Sequence, residues 1–207
     1  EVGKFASAPG ALFAGTVEFD VTFTGRASHC ATREQGIDAL HAAAKFVRDL
    51  PEIVEPFRNN ALLHVGKLTA GSARNIVADK AVAECSFRFF DEADRENGMM
   101  RLERKLVEIT NATGADHTVV VHSVYRPLIN SAYALERFKR FADVEEIAPR
   151  YTAEDFSAYC DKVPGCMVWL GIRDEKHTSP LHSDTFGFDE GALLYGIEAF
   201  YRLATSA

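Results

Sequence analysis

Four side chains in this sequence have the chemistry of a binding or catalytic site: His29, Asn75, Arg88 and His182. His29 follows Gly25 in GRASH, at the tip of an alternating segment, where an imidazole is held near a rigid edge or is merely solvated. Asn75 lies in GSARNIV, after a glycine turn. Its amide donates and accepts at once, which suits a substrate amide or carboxylate, or else it satisfies its own turn. Arg88 interrupts the apolar run CSFRFF, where a guanidinium is solvent-facing, paired, or free to grip a ligand carboxylate by two parallel bonds. His182 stands in SPLHSDTFGFDE, between an apolar segment and the last helical one, where open α/β sheets bind ligands.

Three further groupings are weaker. Glu154-Asp155 offers adjacent carboxylates, but acidic residues before a helix more often cap it. Cys160, Cys166, His177 and His182 form C-x5-C and H-x4-H, wider than the usual cysteine spacing of a zinc site, so no finger is expected there. His29 and Cys30 are neighbours and therefore point apart, with no third group to orient them as a nucleophilic pair.

The elements that position these residues are legible from periodicity. Val17, Phe19, Val21 and Phe23 alternate with Glu18, Asp20, Thr22 and Thr24, the pattern of a strand with one buried face. Gly25 is expected to break it by unusual backbone angles. Residues 36–50 read as an amphipathic helix ended by Pro51 and Pro56. Strands are expected at 61–68, 80–90 and 119–124, with a turn at 69–73 and a helix at 92–112. The order β-α-β-β-α-β is that of a ferredoxin-like unit, a four-stranded sheet with both helices on one face. After Pro127 the pattern changes. Helices are expected at 131–142, 154–161 and 189–204. CMVWLGI (166–172) reads as a strand buried on both faces. One such strand does not complete a sheet, so this part is expected to be a fragment of an α/β domain.

The 207 residues are 47% hydrophobic and carry a net charge of −7. Lys and Arg are scattered, so nucleic acid is not an expected partner. No apolar run approaches the ~20 residues that span a bilayer, so no membrane partner is expected either. Residues 1–15 show no signal peptide, and the start EVGKFASAPG without Met is expected to be the middle of a longer protein. The four cysteines are too few for a disulfide scaffold and are expected to be reduced, in the cytoplasm.

GALFAGTVEFDVTFTGRASH, GIDALHAAAKFV, TAGSARNIVAD, CSFRFF, AEDFSAY, VPGCMVWLG and LHSDTFGFDE, in that order, resemble the M20 metallopeptidase and amidohydrolase family. That family includes aminoacylases, hippurate hydrolases, aminobenzoyl-glutamate hydrolases and diaminopimelate-pathway deacylases. The match runs through nearly the whole chain but only the later part of the family's length. It implies an α+β protein: residues 1–14 close an N-terminal catalytic part, 15–125 form a ferredoxin-like lid that dimerises, and 126–207 belong to the zinc-peptidase-like catalytic domain. It further implies that His29 reaches the partner's active site and stabilises the oxyanion, that Asn75 and Arg88 bind substrate, and that His182 is a metal ligand. Ala153 replaces the serine of the family's Ser-Glu-Asp motif, the Pro-His pair after His29 is missing, and Ala78 stands where many relatives have proline.

The resemblance implies metal-dependent hydrolysis of an amide in N-acyl amino acids or small peptides, by a homodimer. The metal would be zinc, with manganese, cobalt or nickel as alternatives, and most of its ligands, with the general base, would lie upstream of this chain. The segment alone is therefore expected to be inactive. The alternative expectation is a non-catalytic dimerisation or binding module derived from such an enzyme.

Overall fold

The computed structural model describes residues 1–57 and 60–205. Its contacts divide the chain into two units, one formed by residues 14–127 with 151–153, the other by 1–13, 128–150 and the segment from 154 onward.

The first unit is a four-stranded antiparallel sheet built from β3 (Gly15–Thr24), β4 (Ala61–Ala70), β5 (Lys80–Phe89) and β6 (Asp116–Tyr125), in the order β4-β5-β3-β6. With α1 (Ala39–Val54) and α2 (Glu92–Thr113) it has the expected β-α-β-β-α-β order. The alternation in β3 translates directly into burial: Val17, Phe19, Val21 and Phe23 form one core with Phe46, Leu50 and Ile53 of α1 and Leu102, Leu106 and Ile109 of α2. Both helices therefore cover one face of the sheet, and the polar residues of β3 and β5 line the other. α2 approaches β5 closely because Gly98 has no side chain. A Cβ there would lie 2.3 Å from the Phe87 ring.

Each helix begins on an aspartate. The Asp38 carboxylate accepts from His41 N–H and that of Asp91 from Ala93 N–H, which satisfies donors that a helix start leaves open. Pro51 does not end α1 as its sequence position suggests. It sits inside the last turn and costs one hydrogen bond. Ile53 and Phe57, both buried beyond it, keep that turn on the core. Arg101 of α2 then donates from Nε to the Ile53 carbonyl and from Nη2 to that of Glu52, so the end of α1 is capped by its neighbour.

Asp49 is the one charged residue buried in this unit among the described residues, at 4% exposure. Arg48 and Lys45 hold its carboxylate at 2.7 and 2.8 Å. The hydrogen bond from Arg48, then that from Lys45, pull its pKa from 3.8 to about 2. The folded state thus favours the ionised form. The stabilisation is complete above about pH 4 and is lost as pH falls through about 2, and it amounts to about 2 kcal/mol. Acid titration of thermal stability should show an Asp49→Asn variant losing less stability than the parent between pH 4 and 2.

The second unit holds a three-stranded sheet of β1 (Phe5–Ser7), β8 (Val144–Glu146) and β9 (Trp169–Leu170), in the order β8-β1-β9. β1 is parallel to β8 and antiparallel to β9. A separate antiparallel pair joins β2 (Gly10–Phe13) to β7 (Leu128–Asn130). Three helices complete the unit: α3 (Ala132–Lys139), α4 (Ser157–Cys160) and α5 (Ala192–Thr205). Asn130 staples these parts. Its Nδ2 donates to Ser7 Oγ and to the carbonyls of Ala8 and Met167, and its Oδ1 accepts from Met167 N–H at 2.8 Å.

Here the sequence reading needs correction. CMVWLGI is not a strand buried on both faces. Only Trp169–Leu170 pairs, at one edge of the small sheet, and Trp169 is 36% exposed. None of the seven residues is fully buried, so a continuous apolar run alone does not report a strand with neighbours on both sides. The helices are α3, α4 and α5 within the expected windows, shorter than foreseen for the first two. α5 leaves Leu194, Ile197, Phe200 and Tyr201 exposed.

Candidate functional site

His29 and Asn75 meet at one tip of the four-stranded sheet. β3 ends at Thr24, and the chain doubles back on itself: Arg26 and Ile37 exchange two backbone hydrogen bonds of 2.9 Å. Gly25 does not adopt the left-handed angles anticipated for it; the positive-φ glycines lie elsewhere. Its role is steric. A Cβ at Gly25 would fall 2.0 Å from the Ile37 carbonyl oxygen, which no rotamer relieves. Gly25→Ala should therefore cost about 2 kcal/mol or more, read as a lower midpoint in thermal unfolding.

The segment after Gly25 is sewn to the β4–β5 connection. Val77 N–H donates to the Ser28 carbonyl and Cys30 N–H to the Asn75 carbonyl, both at 2.9 Å. Asn75 lies within a tight turn closed by Ile76 N–H to the Ala73 carbonyl. Asn75 is exposed, and its side-chain amide has no hydrogen-bond partner among the described residues. His29 is also exposed. Its Nδ1 accepts from Ala31 N–H at 3.1 Å. That bond requires a lone pair on Nδ1, so in the neutral ring the proton sits on Nε2. The tip therefore brings the backbones of the two segments together and leaves the imidazole of His29 and the carboxamide of Asn75 both exposed.

Arg88 lies at the other end of the same sheet. In the β3–β5 register Thr24 pairs with Lys80 and Thr16 with Arg88, eight residues further along. At the usual rise per residue the two ends are about 27 Å apart. The guanidinium is already engaged. Nη2 donates to Glu18 Oε1 and Nε to Ser86 Oγ, each at 2.9 Å. Glu18 Oε1 also accepts from Ser86 Oγ at 2.9 Å and from Thr16 Oγ1 at 2.8 Å. Among the described residues Arg88 Nη1 has no hydrogen-bond partner.

His182 belongs to the other unit, in the loop before α5. It is exposed and has φ 65°, the one non-glycine residue with positive φ among the described residues. Histidine is several-fold enriched in that region, and such residues cluster where a side chain must be aimed. Among the described residues no three of His, Cys, Asp and Glu come together to hold a metal ion. Among the described residues, Cys160, Cys166, His177 and His182 do not come together as a metal-holding set. Burial raises both the Cys160 and the Cys166 thiol. Glu154 Oε1 accepts from Phe156 N–H in the turn before α4, which has no side-chain cap of its own. A pairing not read from the sequence is His177 with Asp174, whose oxygens both lie 3.0 Å from Nδ1. The His177 backbone N–H and then its ring hold the Asp174 carboxyl below the ordinary range.

A four-stranded antiparallel sheet with two helices on one face, in β-α-β-β-α-β order, is a ferredoxin-like domain. Residues 14–113 match the family described as the peptidase dimerisation domain of M20 enzymes. Residues 14–113 thus carry the dimerisation domain of the M20 peptidases. It is 32% identical to the N-acetyldiaminopimelate deacetylases of Oenococcus oeni and Lactococcus lactis, over 95% and 96% of its own length and 54% and 55% of theirs. The chain therefore spans about half the length of these curated relatives. Two solved structures share its fold. A dinuclear metal binding peptidase of the M20 family from Bacillus subtilis superposes with a TM-score of 0.82 at 24% identity, over 98% of this chain and 52% of that one. An aminobenzoyl-glutamate utilization protein from Klebsiella pneumoniae gives 0.73 at 19%, over 99% and 51%. No helix among the described residues is long and apolar enough to cross a membrane.

Proposed function

We propose that this chain supplies the dimerisation domain and one metal ligand of an amidohydrolase that cleaves the amide of N-acyl amino acids or small peptides with a free carboxylate. N-acetyldiaminopimelate, which names the relatives' activity, is the first substrate to try. His29 donates its Nε2–H to the oxyanion, Asn75 holds the scissile amide, and Arg88 takes the carboxylate. His182 is one ligand of a divalent metal, zinc first among candidates, whose other ligands lie outside this chain. Such an ion supplies an activated water.

The observation that carries this reading is the separation of the two ends of the sheet. About 27 Å is several times the length of an N-acyl amino acid, so His29 and Arg88 of one copy cannot serve the same substrate. Two copies related by a two-fold axis can, each lending its tip to the other. The homodimer forms along β4, an edge strand of the sheet. Leu62 and Leu68 of β4 and Leu40 and Val47 of the adjoining α1 are exposed there, an apolar seam beside unpaired backbone groups.

Mixing tests this directly, in the relatives-length protein that contains this chain. His29→Ala and Arg88→Ala copies, each retaining no more than about a hundredth of parental activity alone at substrate well below KM, should regain about a quarter of it when mixed and reassembled, because half the dimers are hybrid and each hybrid has one intact site. No recovery on mixing two folded variants would place both residues in one subunit's site. No hydrolysis by the parent itself would favour the binding-module reading.

A further inference from the structure

The carboxylate that faces Arg88 is not a passive partner. We propose that Glu18 is a positioning residue: with Ser86 and Thr16 it fixes the guanidinium so that the free Nη1 edge is presented to the substrate carboxylate. The inference rests on the proposed role of Arg88 and extends it to a residue on a different strand.

The geometry is a closed set of bonds. Glu18 Oε1 accepts from Arg88 Nη2 at 2.9 Å, from Ser86 Oγ at 2.9 Å and from Thr16 Oγ1 at 2.8 Å. Ser86 Oγ in turn accepts from Arg88 Nε at 2.9 Å. Glu18 is thus anchored by two hydroxyls before it meets the arginine, and the arginine is held on Nη2 and Nε, not on Nη1. A planar guanidinium fixed along one side can move little in its own plane, so its remaining donors are aimed in one direction. Without Glu18 the long side chain would sample several rotamers and would lose that order on binding.

The site offers a reason why the pair does not simply quench the cation. The side chains are 26% and 38% exposed for Arg88 and Glu18, so their mutual attraction is screened and a second carboxylate can join on the open edge. A glutamate that instead blocked Arg88 would have to leave before substrate bound, and its removal would tighten binding. The two readings differ in sign.

The test uses the active dimer and two substrates that differ in one group, an N-acetyl amino acid and its carboxamide. Arg88→Ala is the reference. It should abolish the preference for the free acid. Glu18→Ala should raise KM for the acid about tenfold, change kcat less than about threefold, and lower the acid-over-amide preference by the same factor as KM rises. Glu18→Gln keeps an acceptor oxygen for the hydroxyls and Nη2 and should recover most of the loss, whereas a merely structural role would move both substrates alike. Unchanged or lower KM in a folded Glu18→Ala dimer overturns the proposal. If Arg88→Ala leaves the preference intact, the assignment of Arg88 itself has failed, and the proposal falls with it.

Discussion

Replacing His29 by alanine in the assembled dimer is expected to lower kcat by about 10²–10³, the usual cost of losing one oxyanion donor. The substitution should leave bound metal, measured by elemental analysis, unchanged. Two structural facts support so large an effect without collapse of the fold. The imidazole is exposed, so no core contact is removed. The backbone bonds that tie this segment to the β4–β5 connection, from Val77 N–H and Cys30 N–H, do not involve the side chain. The one bond lost is that from Ala31 N–H to Nδ1. Asparagine at position 29 would restore an acceptor for Ala31 without aiming an N–H where Nε2 stood, and should be nearly as slow as alanine. Activity close to the parent's in His29→Ala would mean that the oxyanion is stabilised from elsewhere.

Arg88→Ala is expected to lower kcat/KM for a free-acid substrate by about 10²-fold, chiefly through KM, since a hydrogen-bonded charge pair truncated on one side costs a few kcal/mol. The loss has two parts. Substrate forfeits its carboxylate partner, and Glu18 is left with only Ser86 and Thr16 to oppose its charge. Lysine at 88 keeps the charge but cannot donate to Glu18, Ser86 and a ligand in one plane, so it should rescue less than half of the loss in logarithmic terms. Steady-state kinetics on a matched acid and ester would show whether the deficit tracks the carboxylate. A deficit equal for both would remove Arg88 from substrate recognition.

The β-α-β-β-α-β order could be read from the sequence because each strand of that unit is ten residues long and faces helices on one side only. Long, one-sided burial writes an alternating pattern. β1, β2, β7 and β8 are three or four residues long, at most two periods of alternation, and none was foreseen. CMVWLGI misled because an apolar run has no period, and only partners in space decide whether it becomes a strand. Pro51 misled because a proline in the last turn costs one bond, less than the burial of Ile53 and Phe57 that follows it.

The candidate site was legible residue by residue but not as an arrangement. The types and settings of His29, Asn75 and Arg88 marked them out. That the first two meet depends on backbone bonds between segments far apart in sequence, and that the third lies at the opposite end depends on strand register. Neither is encoded locally. Glu18 looked like any polar residue on the wet face of a strand, and only its position opposite Ser86 makes it part of a network. Asn130 gave no signal, since its four bonds are to groups on other segments.

One feature of the first unit bears on how such a protein could be built. Thr16, at the start of β3, pairs directly with Tyr125, at the end of β6. The segment 14–127 therefore begins and ends at the same place on its own sheet, and its two connections to the rest of the chain, at 13–14 and 127–128, leave it together. A segment whose ends meet can be inserted into a surface loop of another protein, or excised from one, without stretching either. Residues 14–127 have that property. They form a cassette, and pairing between subunits can be gained or lost by a single insertion or deletion while the polypeptide on either side keeps its path.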